Sequence, residues 1–176
     1  MGCDIHAFVE YTNDDENKSQ TSETLEIPRD YKLFTVMALG EGGLTDDLPY
    51  PPRGIPSKLS AEAKDYFYTP AAEVQEMMEE WFGDDEDEPF QPEEYAKEHG
   101  EYAYQELLAH NLLPTPELYS HSWLTLEELK EVLNYGKLSK ENLSEEFTMI
   151  LTSMEKLAEN YGSNNVRIVF CFDGAG

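Results

Sequence analysis

The amino-acid sequence predicts an α+β fold, in which a small sheet holding the N- and C-terminal strands packs against several helices. Three observations carry this. Residues 3–11, CDIHAFVEY, alternate apolar and polar side chains with period two. Residues 166–173, VRIVFCFD, are apolar on both faces and so read as a buried strand in the middle of a sheet. Between them the helical period returns several times. At 176 residues the chain is near the usual size of one domain, so a single folding unit over 1–176 is expected.

In the first strand Ile5, Ala7 and Val9 form the buried face, opposite Asp4, His6 and Glu10. The polar stretch from Thr12 to Thr24 reads as an exposed loop or hairpin tip. Asp30 caps a short helix containing Leu33, Phe34 and Met37 that stops at Gly40. From about 40 to 57, GEGGLTDDLPYPPRGIP excludes a helix or central strand, because its four prolines remove donors and fix φ; a long shaped loop is expected. Thr69-Pro70 starts a helix with Val74, Met77, Met78, Trp81 and Phe82 on one stripe, ended by Gly83. An acidic exposed insert follows at about 83–94, centred on DDEDE at 84–88. A helix from about Pro92 to His110 places Tyr95, His99, Tyr102 and Leu107 near one face, with Gly100 as its weak point. Thr125 and Glu128 form a capping-box pattern ahead of Leu126, Leu129, Val132 and Leu133. Ser139 is placed to cap a long helix from Leu143 to Tyr161, and Asn164-Asn165 turn the chain into the last strand.

Charge narrows the function. Twelve Lys plus Arg face 37 Asp plus Glu, a formal net charge of -25, so direct binding to a phosphate backbone is disfavoured. Such a surface is attractive to basic proteins, including those whose basic grooves hold nucleic acid, and it also keeps the chain soluble. The two cysteines, Cys3 and Cys171, and the lack of an apolar run of about 18 residues point to a reducing cytoplasm and away from a membrane. Met1-Gly2-Cys3 resembles an acylation site, but that pattern wants Ser or Thr where this chain has His6.

Asp4 and His6 project from the same strand face, and a carboxylate beside a neutral imidazole suits Zn or a similar ion. Two ligands hold a metal poorly; the donors expected to complete the site are His121, in YSHSW, and Asp173, at the end of the last strand. Cys171 ranks next and Cys3 last, because Cys3 falls on the opposite face. His99 and His110 are read as ordinary helix residues. GEGG lacks the strand, helix and Lys of a phosphate loop, and no G-x-S-x-G marks a nucleophile. Of the three arginines, Arg53 in PPRG is the one best placed to be held in a defined loop, on an anion or, more simply, on an acidic neighbour.

MGCDIHAFVE, RDYKLF, PPRGIP, SHSWLTLEEL and VRIVFCFD together resemble a widespread set of phage and prophage proteins that begin MGCDIH and end VRxVFxFD. Where such proteins often carry a further His, this chain has Tyr119. The resemblance implies a phage-encoded protein acting in the bacterial cytoplasm and strengthens the metal assignment to Asp4, His6, His121 and Asp173. It also implies an inhibitor of host defence, similar to acidic metal-containing anti-CRISPR proteins acting on Cas9. Such an inhibitor would hold a basic surface of Cas9 through Glu79, Glu80, Asp84, Asp85, Glu86, Asp87 and Glu88, obstruct loading of target DNA, and keep a structural metal. The alternative is a metal-dependent hydrolase, such as a phosphoesterase, with Glu10 as base and Arg53 as anion clamp.

Overall fold

The computed structural model describes residues 2–13, 20–83 and 88–174. Its α+β architecture is built on a four-stranded sheet in the order β2-β1-β6-β5, with β1 at Asp4–Tyr11, β2 at Gln20–Leu25, β5 at Leu118–Thr125 and β6 at Val166–Asp173. The two end strands are antiparallel neighbours over their whole length, from Asp4↔Asp173 to Tyr11↔Val166. A short ribbon pairs β3, Tyr68–Pro70, with β4, Leu112–Pro114.

β6 carries apolar side chains on both of its faces, so both faces of the sheet need cover around it. Ile5, Ala7 and Val9 join Ile168, Phe170 and Phe172 on one face. Three helical segments lie over them: α1 (Tyr31–Phe34) with the wider turn that follows it, α6 (Leu126–Tyr135) and α7 (Glu145–Tyr161). The opposite face is buried as well, as the doubly apolar β6 predicts and against the one-sided reading of β1. Phe8, Val169 and Cys171 pack there on Ile55 and Leu59 of the Pro/Gly loop and on Ala63 and Phe67 of α2, Ala61–Phe67. Glu10 shares that face and is fully buried. A third cluster joins Val74 of α3 (Ala71–Phe82), Ala96 of α4 (Pro92–Glu98) and Leu113, with Leu107 of α5 (Glu101–His110) beside them.

The local signals explain most boundaries. Asp30 Oδ1 accepts from the Leu33 backbone N–H at 3.1 Å, starting α1 as expected. At its far end Gly40 sits at φ +71, and a Cβ there would lie 2.1 Å from the Leu44 carbonyl oxygen. Gly40→Ala should therefore cost about 1–3 kcal/mol through backbone strain and that clash, read as a lower urea midpoint at unchanged slope. The capping box of α6 is present in both directions. The long helix starts later than its Ser139 signal: Ser144 takes the Phe147 N–H, while Ser139 closes a preceding turn with Asn142. The expected helix over 92–110 is two, broken where Gly100 adopts φ +112. Residues 92–94 thus belong to α4 rather than to the acidic insert, and residues 84–87 lie outside the described residues. The stripe on α3 is buried only at Val74, because the helix outruns the elements it packs on; Trp81 is 47% and Phe82 74% exposed.

Candidate functional site

The pairing of β1 with β6 brings His6 and Asp173 together. Nε2 of His6 lies 2.5 Å from Oδ2 of Asp173, a direct hydrogen-bonded ion-pair geometry at a partly exposed position. Tyr66, from α2, leans over the imidazole with ring centroids 4.9 Å apart. Burial first, then the neighbouring Cys171, Asp173 and Glu117, push its phenol up to about 12, so it stays protonated. Asp4 is taken by another partner: Arg29 donates from Nε to Oδ1 at 2.5 Å and from Nη2 to Oδ2 at 3.0 Å. That hydrogen bonding holds the Asp4 carboxyl below its usual range.

Each member of the pair lines a depression. His6 lines one of about 480 Å³ together with Asp4, Phe8, Glu26, Tyr66 and Glu146. Asp173 lines the other, about 380 Å³, with Trp81, Glu117 and Gly174. Apart from His6, the ionisable acid–base side chains lining both are carboxylates and the phenol of Tyr66, so a cation is the compatible guest and an anion is opposed.

His121 is placed elsewhere. β5 carries a bulge between Tyr119 and Ser122, with Ser120 at φ +52, and the extra residue turns the His121 ring into the second buried face. It is 5% exposed, edge-on to Phe67 at 5.6 Å and to His99 at 6.2 Å between centroids. Its Nε2 is buried with no hydrogen-bond partner among the described residues. Desolvation, then the nearby His99, lower it to about 4, so the ring is neutral at pH 7. His99, read from sequence as an ordinary helix residue, is its closest imidazole; Nδ1 of His99 contacts the Tyr95 carbonyl at 2.8 Å.

The expected four-residue metal set is thus not assembled. Of Asp4, His6, His121 and Asp173, only His6 and Asp173 touch, and among the described residues no group of three or more His, Cys, Asp or Glu converges as metal ligands. Two donors on one tetrahedral zinc stand about 3.3 Å apart for bonds near 2.0 Å, wider than the 2.5 Å seen here. Both cysteines are buried, and burial, with Asp173, pushes the Cys171 thiol well up, away from the thiolate a metal takes.

The roles assigned to Glu10 and Arg53 in a hydrolase are also occupied. Glu10 accepts from Arg167 Nε at 3.0 Å and from the Ser60 N–H at 2.6 Å, fully buried, so it faces no substrate. Arg53 grips Glu128 with both terminal nitrogens and stacks on Trp123 at 4.4 Å and Tyr50 at 4.7 Å. The acidic-neighbour reading of Arg53 holds, and the loop it anchors is tied to the His-Ser segment by Gly54 N–H to His121 O and Arg53 N–H to Ser122 Oγ.

Of the acidic docking residues, Glu79, Glu80 and Glu88 are exposed; Asp84, Asp85, Glu86 and Asp87 lie outside the described residues. Sequence reasoning missed Trp81 and Phe82 as surface residues, since helical spacing alone cannot show where the packing partner ends. The chain matches no family model, no curated protein and no solved structure.

Proposed function

We propose that this protein is a non-enzymatic inhibitor whose acidic helical face docks on a basic surface of a nucleic-acid-handling protein. The partner proposed is Cas9, on the strength of the resemblance, with loading of target DNA as the step obstructed. One observation carries the docking reading. From Asp65 to Leu129 the sequence holds 18 acidic residues and a single cation, Lys97. Glu73, Glu76, Glu79, Glu80, Glu88, Glu93, Glu94, Glu98 and Glu101 are all exposed on α3, α4, the start of α5 and the segment between α3 and α4. Lys97 itself lies over the Tyr104 ring at 4.7 Å. A field this one-sided accelerates encounter with a basic groove and repels nucleic acid from the same space. Exposed Trp81 and Phe82 add the aromatic anchors that such interfaces concentrate their binding energy on.

The test is co-migration of the protein with Cas9 and guide RNA at about 50 mM and 500 mM salt, where the Debye length shrinks severalfold. Complex at low salt, weakened about tenfold or more at high salt, is expected; no complex at low salt removes Cas9 as the partner. Charge reversal of Glu79 and Glu80 to Lys should weaken the complex in the same assay.

The hydrolase reading has one supporting observation, the carboxylate-oriented imidazole of His6. It lacks its base and its anion clamp, which are engaged at Glu10 and Arg53. A structural zinc at His6 and Asp173 is compatible with the docking reading without being required by it. Elemental analysis of the protein beside His6→Ala decides it: one equivalent of metal lost in the variant would establish the ion.

A further inference from the structure

We infer that the depression between the end of α3 and the end of β6 is a receptor for a guanidinium side chain presented by the basic partner. The inference rests on the docking reading and gives it a point of contact. The depression, about 380 Å³, is lined by Trp81, Glu117, Asp173 and Gly174. Trp81 is 47% exposed, and an indole face carries the negative quadrupole that attracts a cation. Glu117 is exposed and makes no ion pair among the described residues.

The end of α3 reinforces the preference. Its last turn contains no basic residue and carries Glu79 and Glu80 instead, so no cation of the helix itself offsets its negative pole. A cation approaching Trp81 meets that pole, the indole and two carboxylates together.

The molecule already completes the same arrangement once. Arg53 lies on the Trp123 ring at 4.4 Å and holds Glu128 with two nitrogens. At Trp81 the indole and the Glu117 carboxylate belong to this chain, with Asp173 beside them holding His6, and the basic partner supplies the guanidinium. Arginine is favoured over lysine because a planar, weakly hydrated guanidinium stacks and forks onto a carboxylate at once.

The experiment uses the intact protein and two probes of equal length and charge, a nonameric arginine peptide and a nonameric lysine peptide, at low salt. Tryptophan emission reports the site, since Trp81 is half-exposed and Trp123, the only other tryptophan, is already stacked on Arg53. The arginine peptide should change the emission of the wild type but not of Trp81→Leu. Its affinity should fall about tenfold in Trp81→Leu, the loss expected for a desolvated cation–π contact, and severalfold in Glu117→Gln. The lysine peptide should bind more weakly than the arginine peptide. Arginine-peptide affinity unchanged within about twofold in both variants would overturn this receptor while leaving the acidic docking face intact. Failure of both peptides to bind the wild type would overturn the receptor and the docking reading together.

Discussion

Replacing Glu10 with alanine should cost about 3–5 kcal/mol of folding stability, the largest single loss expected outside the apolar core. Glu10 is fully buried, and each of its carboxylate oxygens has a partner. One accepts from Arg167 at 3.0 Å; the other accepts from the Ser60 N–H at 2.6 Å, at the residue that caps α2. Arg167 in turn donates to the carbonyls of Ser57 and Lys58, so the ion pair stitches the Pro/Gly loop to the sheet. Deleting the carboxylate leaves a largely buried guanidinium without its counter-charge and an amide without its acceptor. Against a total of about 5–15 kcal/mol, such a loss leaves little margin. Equilibrium urea unfolding at pH 7 checks it; Glu10→Gln, which removes the charge but retains an acceptor for Ser60, should lose somewhat less, and a Gln variant as stable as the wild type would contradict the charge argument.

His121 gives the second large effect, expressed through pH. Its folded-state pKa, lowered to about 4 by desolvation, lies below that of an unfolded histidine near 6.5. Between those values the unfolded chain binds a proton that the folded chain refuses, so stability is full above about pH 6.5 and declines as pH falls toward 4. A gap of this size amounts to about 3 kcal/mol at its full extent. Because Nε2 of His121 has no partner among the described residues, His121→Phe should fold, gain stability at pH 7, and flatten the decline between pH 6.5 and 4. A variant that keeps the full acid limb would place its origin in the carboxylates instead.

The fold was legible where local patterns and burial agree. The alternation of Ile5, Ala7 and Val9, the doubly apolar β6 and the capping box at Thr125 and Glu128 all appear where the residues direct them. The neighbouring placement of the end strands, which the buried character of both allows, is present in full register. Elsewhere the signal was interrupted. The bulge at Ser120 breaks the period of β5, which hid the strand and the direction of His121. Phe8, among the polar positions of β1, was the sign that the second face is also covered. Ser60, whose side chain accepts from Ala63, marked the short α2 that covers it.

The candidate site was legible only in part for a related reason. The closeness of His6 and Asp173 follows from strand pairing, which a sequence can suggest. The choice of partner for each charge depends on long-range contacts that no spacing encodes. All three arginines are claimed in this way: Arg29 by Asp4, Arg53 by Glu128 and Arg167 by Glu10. The carboxylates that composition offered as metal ligand, cap and base are thereby held by guanidinium groups.

The central pairing of β1 with β6 also sets a schedule for biosynthesis. Tyr11 and Val166 are register partners 155 positions apart, so at elongation rates of about 5–20 residues per second the first strand waits roughly 10–30 s for its neighbour to be translated. Until then β1 has only β2 to pair with, and an isolated two-stranded ribbon is marginal in water. Ile5, Ala7 and Val9 therefore spend that interval without their native cover, and the sheet closes only once β6 has emerged from the ribosome. Nascent chains stalled before Val166 should be protease-sensitive throughout β1 and engage whatever chaperones attend the exit tunnel.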